Sequence, residues 1–403
     1  MTKIIPLSML FTLSLMADAT LESIQKELET QKQKTATLES QVKALSSAST
    51  NQSASFSQNA YLPDIAFILD MSAVTRDVNN SAYNKYAIPG FMDSTDTEIL
   101  FNPNRGFNLN YAEVALHSTV NPYFDAFAVF HLQNNVFEIE EAYVITRALP
   151  MGLRVKAGKF RSNFGRLNKK HHHSWHFDSQ ALIYEALFGP DSLKDPGLQL
   201  QWIAPTDTYL MLGLEVMQGN NAQSFGYSEN ANLLVTYLKS SIDIGENISM
   251  LGGVSYAKGK NASANQTDIY GIDFTLRNQF DSYSSLIWQS EYLQREKHLD
   301  TSTDKQDGFY SELIYEYNNN YSGGVRYDSI TKNETDLSAY SGVDTDNLNR
   351  YTVMFEYKPF EMSRLRLSYT YDRSKIISDE RRSINEVMLS LNIAAGAHSA
   401  HDY

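Results

Sequence analysis

From residue 64 to residue 396 the chain repeats with a period of two, in short segments separated by turns. That period places successive side chains on opposite faces of an extended strand. In 123–134, Phe124, Ala126, Ala128, Phe130 and Leu132 share one face, and Asp125, His131 and Gln133 share the other. In 363–375, Leu365, Leu367, Tyr369 and Tyr371 oppose Arg364, Arg366, Ser368, Thr370 and Asp372. Sixteen strands are expected, at 64–75, 107–120, 123–134, 137–147, 152–160, 197–205, 208–218, 231–243, 246–259, 267–279, 283–297, 307–318, 321–332, 348–359, 363–375 and 383–396. Many have the length a tilted strand needs to cross a bilayer. A soluble sandwich also alternates, but it needs a second sheet and Greek-key connections.

The connections favour a barrel. Short turns at Asn121-Pro122, Leu149-Pro150, Pro205-Asp207, Gly245, Phe280-Asp281, Asn319-Asn320 and Pro359-Glu361 mostly take turns with longer stretches at 76–106, 161–196, 219–230, 298–306 and 333–347. Short periplasmic turns and longer external loops are the pattern of bacterial barrels. The short connection at Asn134–Val136 departs from it. The expected fold class is therefore all-β: an antiparallel transmembrane β-barrel of about sixteen strands, apolar outside and polar inside, in residues 63–403.

Composition agrees. The 25 tyrosines and 20 phenylalanines suit aromatic girdles at two membrane interfaces. With no cysteine, disulfides and thiolate metal sites are excluded. A net charge of −13 argues against nucleic-acid binding. Lys3, the apolar run Ile4–Met16 and Ala17-Asp18-Ala19 read as a signal peptide over 1–19, so export is expected.

Residues 20–46 carry a different period. Leu21, Ile24, Leu28, Gln31, Thr35, Leu38, Val42 and Leu45 alternate spacings of three and four, as the seam of a coiled-coil helix does. Two readings stay open: a periplasmic coiled coil that helps a homotrimer form, or a single frayed helix leading into the barrel. Residues 47–62 read as a polar linker.

The stretch that stands apart is 154–205, a strand, a long basic and histidine-rich loop and a return strand. Its AGKFRSNFGRLN portion, through Gly158, Phe160, Phe164 and Gly165, resembles the phosphate- and polyanion-selective porins. The coiled coil ahead of a barrel is similar to that family too. The next part, HHHSWHFDSQALIYEALFG and DPGLQLQWIAP, with His398 and His401 near the C-terminus, resembles bacterial proteins described as zinc-regulated TonB-dependent outer-membrane receptors. The resemblance implies an outer-membrane porin whose 161–196 loop folds inward as a constriction. About 44 mature residues precede the first strand, against the hundred or more of a TonB-dependent plug, so no TonB partner is expected.

Arg154, Lys156, Lys159, Arg161 and Arg166 make this region basic, and Arg364 and Arg366 could face the same lumen. Arg154 and Lys156 share a face opposite Leu153, Val155 and Ala157. A charge at mid-bilayer on the lipid side costs about 2–4 kcal/mol, so both are expected inside. A basic ring would select anions. In the alternative, these side chains pair with Glu113, Glu141, Glu215 and Glu291 in a balanced lumen. His171, His172, His173, His176 and Asp178 are candidate metal ligands, for zinc above all, with a solvated polar loop as the alternative. His172 and His176, four apart, would share a face if helical. The apolar piece 181–188 is expected to pack as a short helix.

No catalytic motif stands out, so an enzyme is not expected. The reading is passive diffusion of small hydrophilic solutes or ions through the outer membrane, with an anion preference and no required cofactor. A zinc-responsive uptake barrel and a structural envelope tether are the alternatives.

Overall fold

The structure is a computed structural model, and it describes residues 63–94, 99, 101–133, 136–190, 192–360 and 362–396, together with 29, 30 and 32–34. The chain divides into residues 1–62 and 63–403. In the first unit Glu29, Thr30 and Lys32–Lys34 are helical. The signal peptide, all eight seam positions of the coiled coil, the linker, His398 and His401 lie outside the described residues.

The second unit is a closed antiparallel barrel in which each strand pairs with its sequence neighbours and the last pairs with the first. The strands are β1 (Asp64–Arg76), β2 (Gly106–Asn121), β3 (Phe124–Gln133), β4 (Val136–Thr146), β5 (Leu153–Arg161) and β6 (Lys194–Ile203). Then follow β7 (Tyr209–Met217), β8 (Leu233–Ile244), β9 (Ile248–Lys260), β10 (Gln266–Gln279) and β11 (Ser285–His298). The wall ends with β12 (Thr303–Tyr317), β13 (Tyr321–Glu334), β14 (Asn349–Phe360), β15 (Ser363–Ile377) and β16 (Glu380–Gly396). Closure runs from Ala66↔Gly396 to Arg76↔Glu386, so β1 begins and β16 ends at the same rim. All sixteen expected strands are present. Among the described residues no helix is long and apolar enough to cross a membrane.

Three strand starts move by more than two residues at the long-loop rim: β6 begins at Lys194, β12 at Thr303 and β16 at Glu380. Asp304 and Gln306 point inward and are buried, so β12 starts at Thr303 and the expected 298–306 loop shrinks to 299–302. At the β15–β16 corner Ser378 and Asp379 take φ of +53° and +60°, the geometry of a two-residue hairpin, so β16 starts at Glu380.

Alternation sorts the wall. Leu198, Leu200, Leu212, Leu214, Leu365 and Leu367 face outward and are exposed. Gln199, Gln201, Glu215, Arg366, Ser368 and Thr370 face inward and are buried. Tyr283, Tyr317, Tyr321 and Phe360 lie exposed by the short turns. Tyr256 and Tyr270 pair at 5.1 Å nearer the other rim.

The core is inside the barrel. Phe160, Phe164, Leu182, Tyr184 and Phe188 cluster with Tyr86, Ile88, Phe91 and Met92 of the first long loop. The helix Leu182–Phe188 is buried at all seven positions.

Candidate functional site

The connection between β5 and β6 turns into the lumen because Gly158 and Gly165 let it. Gly158, at φ +134°, lies so close to β4 that a Cβ would sit 2.2 Å from the Ala142 carbonyl oxygen. Gly165, at φ +61°, sits against Tyr184 and Glu291. Phe160 and Phe164 are fully buried, and Phe164 packs edge-on to Phe188 at 5.6 Å.

Carboxylates of the wall hold the loop by its backbone. Glu215 on β7 accepts from the Ser162 hydroxyl (2.5 Å) and the Asn163 amide (2.9 Å). Glu291 on β11 accepts from the amides of Arg166 (2.7 Å) and Leu167 (2.8 Å) and from the hydroxyls of Tyr184 (2.8 Å) and Tyr310 (2.6 Å). Asp328 on β13 accepts from the Leu182 amide at 2.8 Å. Further round, Arg326 donates to the Ser179 carbonyl (2.8 Å) and Arg350 to the Gln180 carbonyl. Arg366 on β15 and Ser390 on β16 donate to Asp178 at 2.8 and 2.9 Å. His176 and Glu312 on β12 lie 2.6 Å apart. The loop thus reaches across the lumen to walls on opposite sides.

These contacts revise the expected charge layout. Arg364 and Arg366 do not stand free in a basic ring. Arg364 donates to the His173 carbonyl (2.7 Å), and Arg366 pairs with Glu356 and Asp178. Arg161 is buried against Glu140 (2.9 Å), which also takes Lys194 at 2.6 Å. Lys159 shares the outward parity of Val155 and Ala157. Its ammonium reaches the Ile139 carbonyl (2.6 Å) and Glu138 (3.4 Å), where β4 and β5 part beyond the Ala142↔Lys159 pair. Arg154 and Lys156 sit in register with the inward Gln201 and Gln199. Arg154 is exposed, and Lys156 lies 4.4 Å over the Tyr143 ring. Glu215 and Glu291 serve the loop's own donors, because the inserted backbone reaches them first.

The histidines do not converge as a set. Residues His172–Ser174 form one 3-10 turn and Trp175 is extended (φ −74°, ψ 149°), so His172 and His176 share no helical face. His172 stacks on Phe101 at 4.0 Å and bonds the Asp178 carbonyl at 2.9 Å. His176 goes to Glu312, and the Asp178 carboxylate to Arg366. His171 meets a carboxylate on the near wall: its Nε2 lies 2.8 Å from Glu141. His173 Nδ1 is 3.5 Å from Glu113. Burial opposes the His171 imidazolium, but the hydrogen bond and charge of Glu141 outweigh it and its pKa is raised. Burial prevails at His173, whose pKa is lowered.

His131 is the residue that the sequence reading placed on a polar face without assigning it a role. Strand register sets Glu113 opposite His131 and His131 opposite Glu138. A bulge in β4, where Val129 pairs Glu141 and Phe130 pairs Ile139, leaves Glu140 extra, and both Glu140 and Glu141 are buried. Bulges re-aim side chains in this way. The donor atoms of Glu113, His131 and His171 all lie within 4.8 Å of one another.

The closed sixteen-strand barrel matches the fold of solved outer-membrane porins and channels. The chain is similar to the outer-membrane channel DcaP of Acinetobacter baumannii (12% identity, 83% of this chain and 97% of that one, TM-score 0.54). It is similar to the anion-selective porin from Comamonas acidovorans (11%, 83% and 99%, TM-score 0.54). It is also similar to a loop L8 deletion mutant of OmpT from Vibrio cholerae (13%, 83% and 100%, TM-score 0.52). At these identities the likeness is one of fold. No protein-family model matches the chain. It belongs to the same family as an uncharacterized protein of Aquifex aeolicus (strain VF5), with 40% identity over 385 residues, 86% of this chain and 81% of the relative.

Proposed function

We propose that the chain is an outer-membrane channel for passive diffusion of small hydrophilic solutes, with residues 162–193 as its constriction. The observation that supports this reading is a loop held across a polar lumen within a barrel whose outer face is apolar. Gln199, Gln201, Ser255 and Gln289 make the lumen side of the wall polar, and are buried there against Glu215, Tyr237, the Gly165 amide and Tyr310. In this reading anion preference rests on the exposed Arg154, with Lys156 on the same face and also drawn to Glu141 and Glu215, while Arg161, Arg364 and Arg366 are engaged by acids and loop carbonyls. A homotrimer is proposed with it; one of the similar structures, OmpT of Vibrio cholerae, is described as a trimer form.

The test is reconstitution of the full chain into a planar bilayer. Stepwise conductance is expected, rising when residues 166–190 are replaced by a short Gly/Ser linker. A reversal potential on the anion side that falls with Arg154→Ala and Lys156→Ala supports the selectivity assignment. No solute-sized conductance in either form would leave a structural barrel, and a cation-side potential would mean that the acidic residues prevail.

A further inference from the structure

One cluster near the loop has a chemistry that solute diffusion does not call on. Glu113 comes from β2, His131 from β3 and His171 from the inserted loop, and all three are buried. Glu113 Oε2 and His131 Nε2 are already 3.1 Å apart. Donors around a tetrahedral ion with bonds of about 2.0–2.1 Å lie roughly 3.3 Å from one another. The 4.8 Å span of the three donor atoms therefore closes with a side-chain adjustment of about an ångström.

Charge points the same way. The ion pairs of Glu113 are with His131 and His173, and that of Glu141 is with His171, so both buried carboxylates look to imidazoles. Glu140 beside them has Arg161 and Lys194. A dication at the cluster would compensate the buried Glu113 and Glu141 carboxylates directly. Two buried polar atoms on residues beside the cluster, the Tyr111 hydroxyl and His172 Nδ1, have no hydrogen-bond partner among the described residues, and His172 Nδ1 lies 3.7 Å from Asp70 Oδ2. The Tyr111 ring stacks on His131 at 4.6 Å and meets the His172 ring at 6.0 Å. Buried polar groups left without partners mark a place for a water or an ion.

We propose that Glu113, His131 and His171 bind one first-row transition-metal ion of the zinc type, which fastens the inserted loop to the wall. Imidazole with carboxylate is a donor set for zinc, cobalt, nickel or copper and not for magnesium or calcium. His173 and Glu141 stand close enough to complete or orient the ligands. Two ligands belong to fixed strands and one to the loop, so the ion binds only the docked loop and favours it by mass action. Its effect on passage rests on the channel reading; its binding does not.

The experiment uses the full chain, folded in detergent and stripped with chelator. Equilibrium dialysis against zinc, with bound metal counted by mass spectrometry, is expected to give one ion per chain. Cobalt(II) is expected to give the visible bands of a low-coordinate nitrogen/oxygen site. His131→Ala and His171→Ala should each weaken binding at least tenfold, on the order of what even outer ligands contribute. His117→Ala and His298→Ala should bind as the parent does. Heat-modifiable gel mobility establishes that each variant is a closed barrel, and His131→Asn replaces the alanine variant where that fails to fold. No stoichiometric binding, or binding indifferent to residue 131, overturns the proposal. Conductance with and without zinc separates the two readings. Conductance without stoichiometric metal binding overturns the metal site alone, and metal binding with no conductance under any condition overturns the channel alone.

Discussion

Arg366 on β15 and Asp178 in the inserted loop meet at 2.8 Å, Nη1 to Oδ1, with the guanidinium only 1% exposed. The same guanidinium holds Glu356 at 3.0 Å and the Trp175 carbonyl at 3.0 Å. A strand side chain thus grips the loop through both a charge and a backbone oxygen.

Asp178→Ala removes one of two carboxylates from a buried guanidinium. Hydrogen bonds to charged groups contribute about 1.5–3 kcal/mol, and since Glu356 remains, a loss of about 2 kcal/mol in loop docking is expected. Limited trypsin digestion of the folded protein at Lys169 and Lys170 measures it. Cleavage no faster than in the parent would show that the pair does not hold the loop.

Glu291→Ala should be worse than Glu291→Gln. Glu291 accepts from two loop amides and two tyrosine hydroxyls, and alanine leaves all of them without an acceptor. Each buried donor so stranded costs roughly 1–3 kcal/mol, whereas glutamine keeps one acceptor oxygen. The midpoint of heat-modified gel migration ranks the variants: parent above glutamine above alanine. Equal midpoints for the two substitutions would contradict this.

Gly165→Ala should release the loop while sparing the barrel. At φ +61° an L residue is strained, and the new Cβ would lie 2.2 Å from the Tyr184 hydroxyl and 2.3 Å from Glu291 Oε2. Raised conductance with an unchanged far-ultraviolet strand spectrum is the expected outcome. The double variant Gly165→Ala, Tyr184→Phe should recover part of the loss. Parental conductance in the single variant would place the constriction elsewhere.

Acid should undock the helix Leu182–Phe188 only at low pH. Burial pushes the Glu185 carboxyl up, but Lys375 (3.4 Å) and Arg350 (3.1 Å) outweigh it and hold it at about 2. Its folded value lies below its ordinary 4.5, so the stability it contributes is present above 4.5 and is lost as pH falls through about 2. Fluorescence of the buried Trp175, in a chain with Trp202→Phe and Trp288→Phe, should stay blue-shifted at pH 4.5 and move red near pH 2. Glu185→Gln should flatten that step. A red shift complete by pH 4 would mean that other carboxylates control docking.

Alternation made the wall legible. All sixteen strands could be placed from neighbours along the chain, since a lipid face and a wet face leave a mark at every second residue. The inward parity of Arg154, Lys156, Arg364 and Arg366 followed in the same way. The β12 start was misplaced because Asp304 and Gln306 look like loop residues until a lumen exists to receive them.

The partners were not legible. His172 and His176 looked paired through a helical spacing that the 3-10 turn at His172–Ser174 removes. His131 looked like one polar residue among several, because its meaning comes from Glu113, 18 positions away, and from His171 on a loop that folds back to it. Asp178 finds Arg366 across 188 residues. Hydrophobic period is written between adjacent residues, so the sequence by itself determined a barrel with one wet face. Which charge answers which depends on barrel closure, on the β4 bulge and on the loop's path across the lumen. These bring distant residues together, so only the tertiary structure decided that the basic loop would be consumed in holding itself in place.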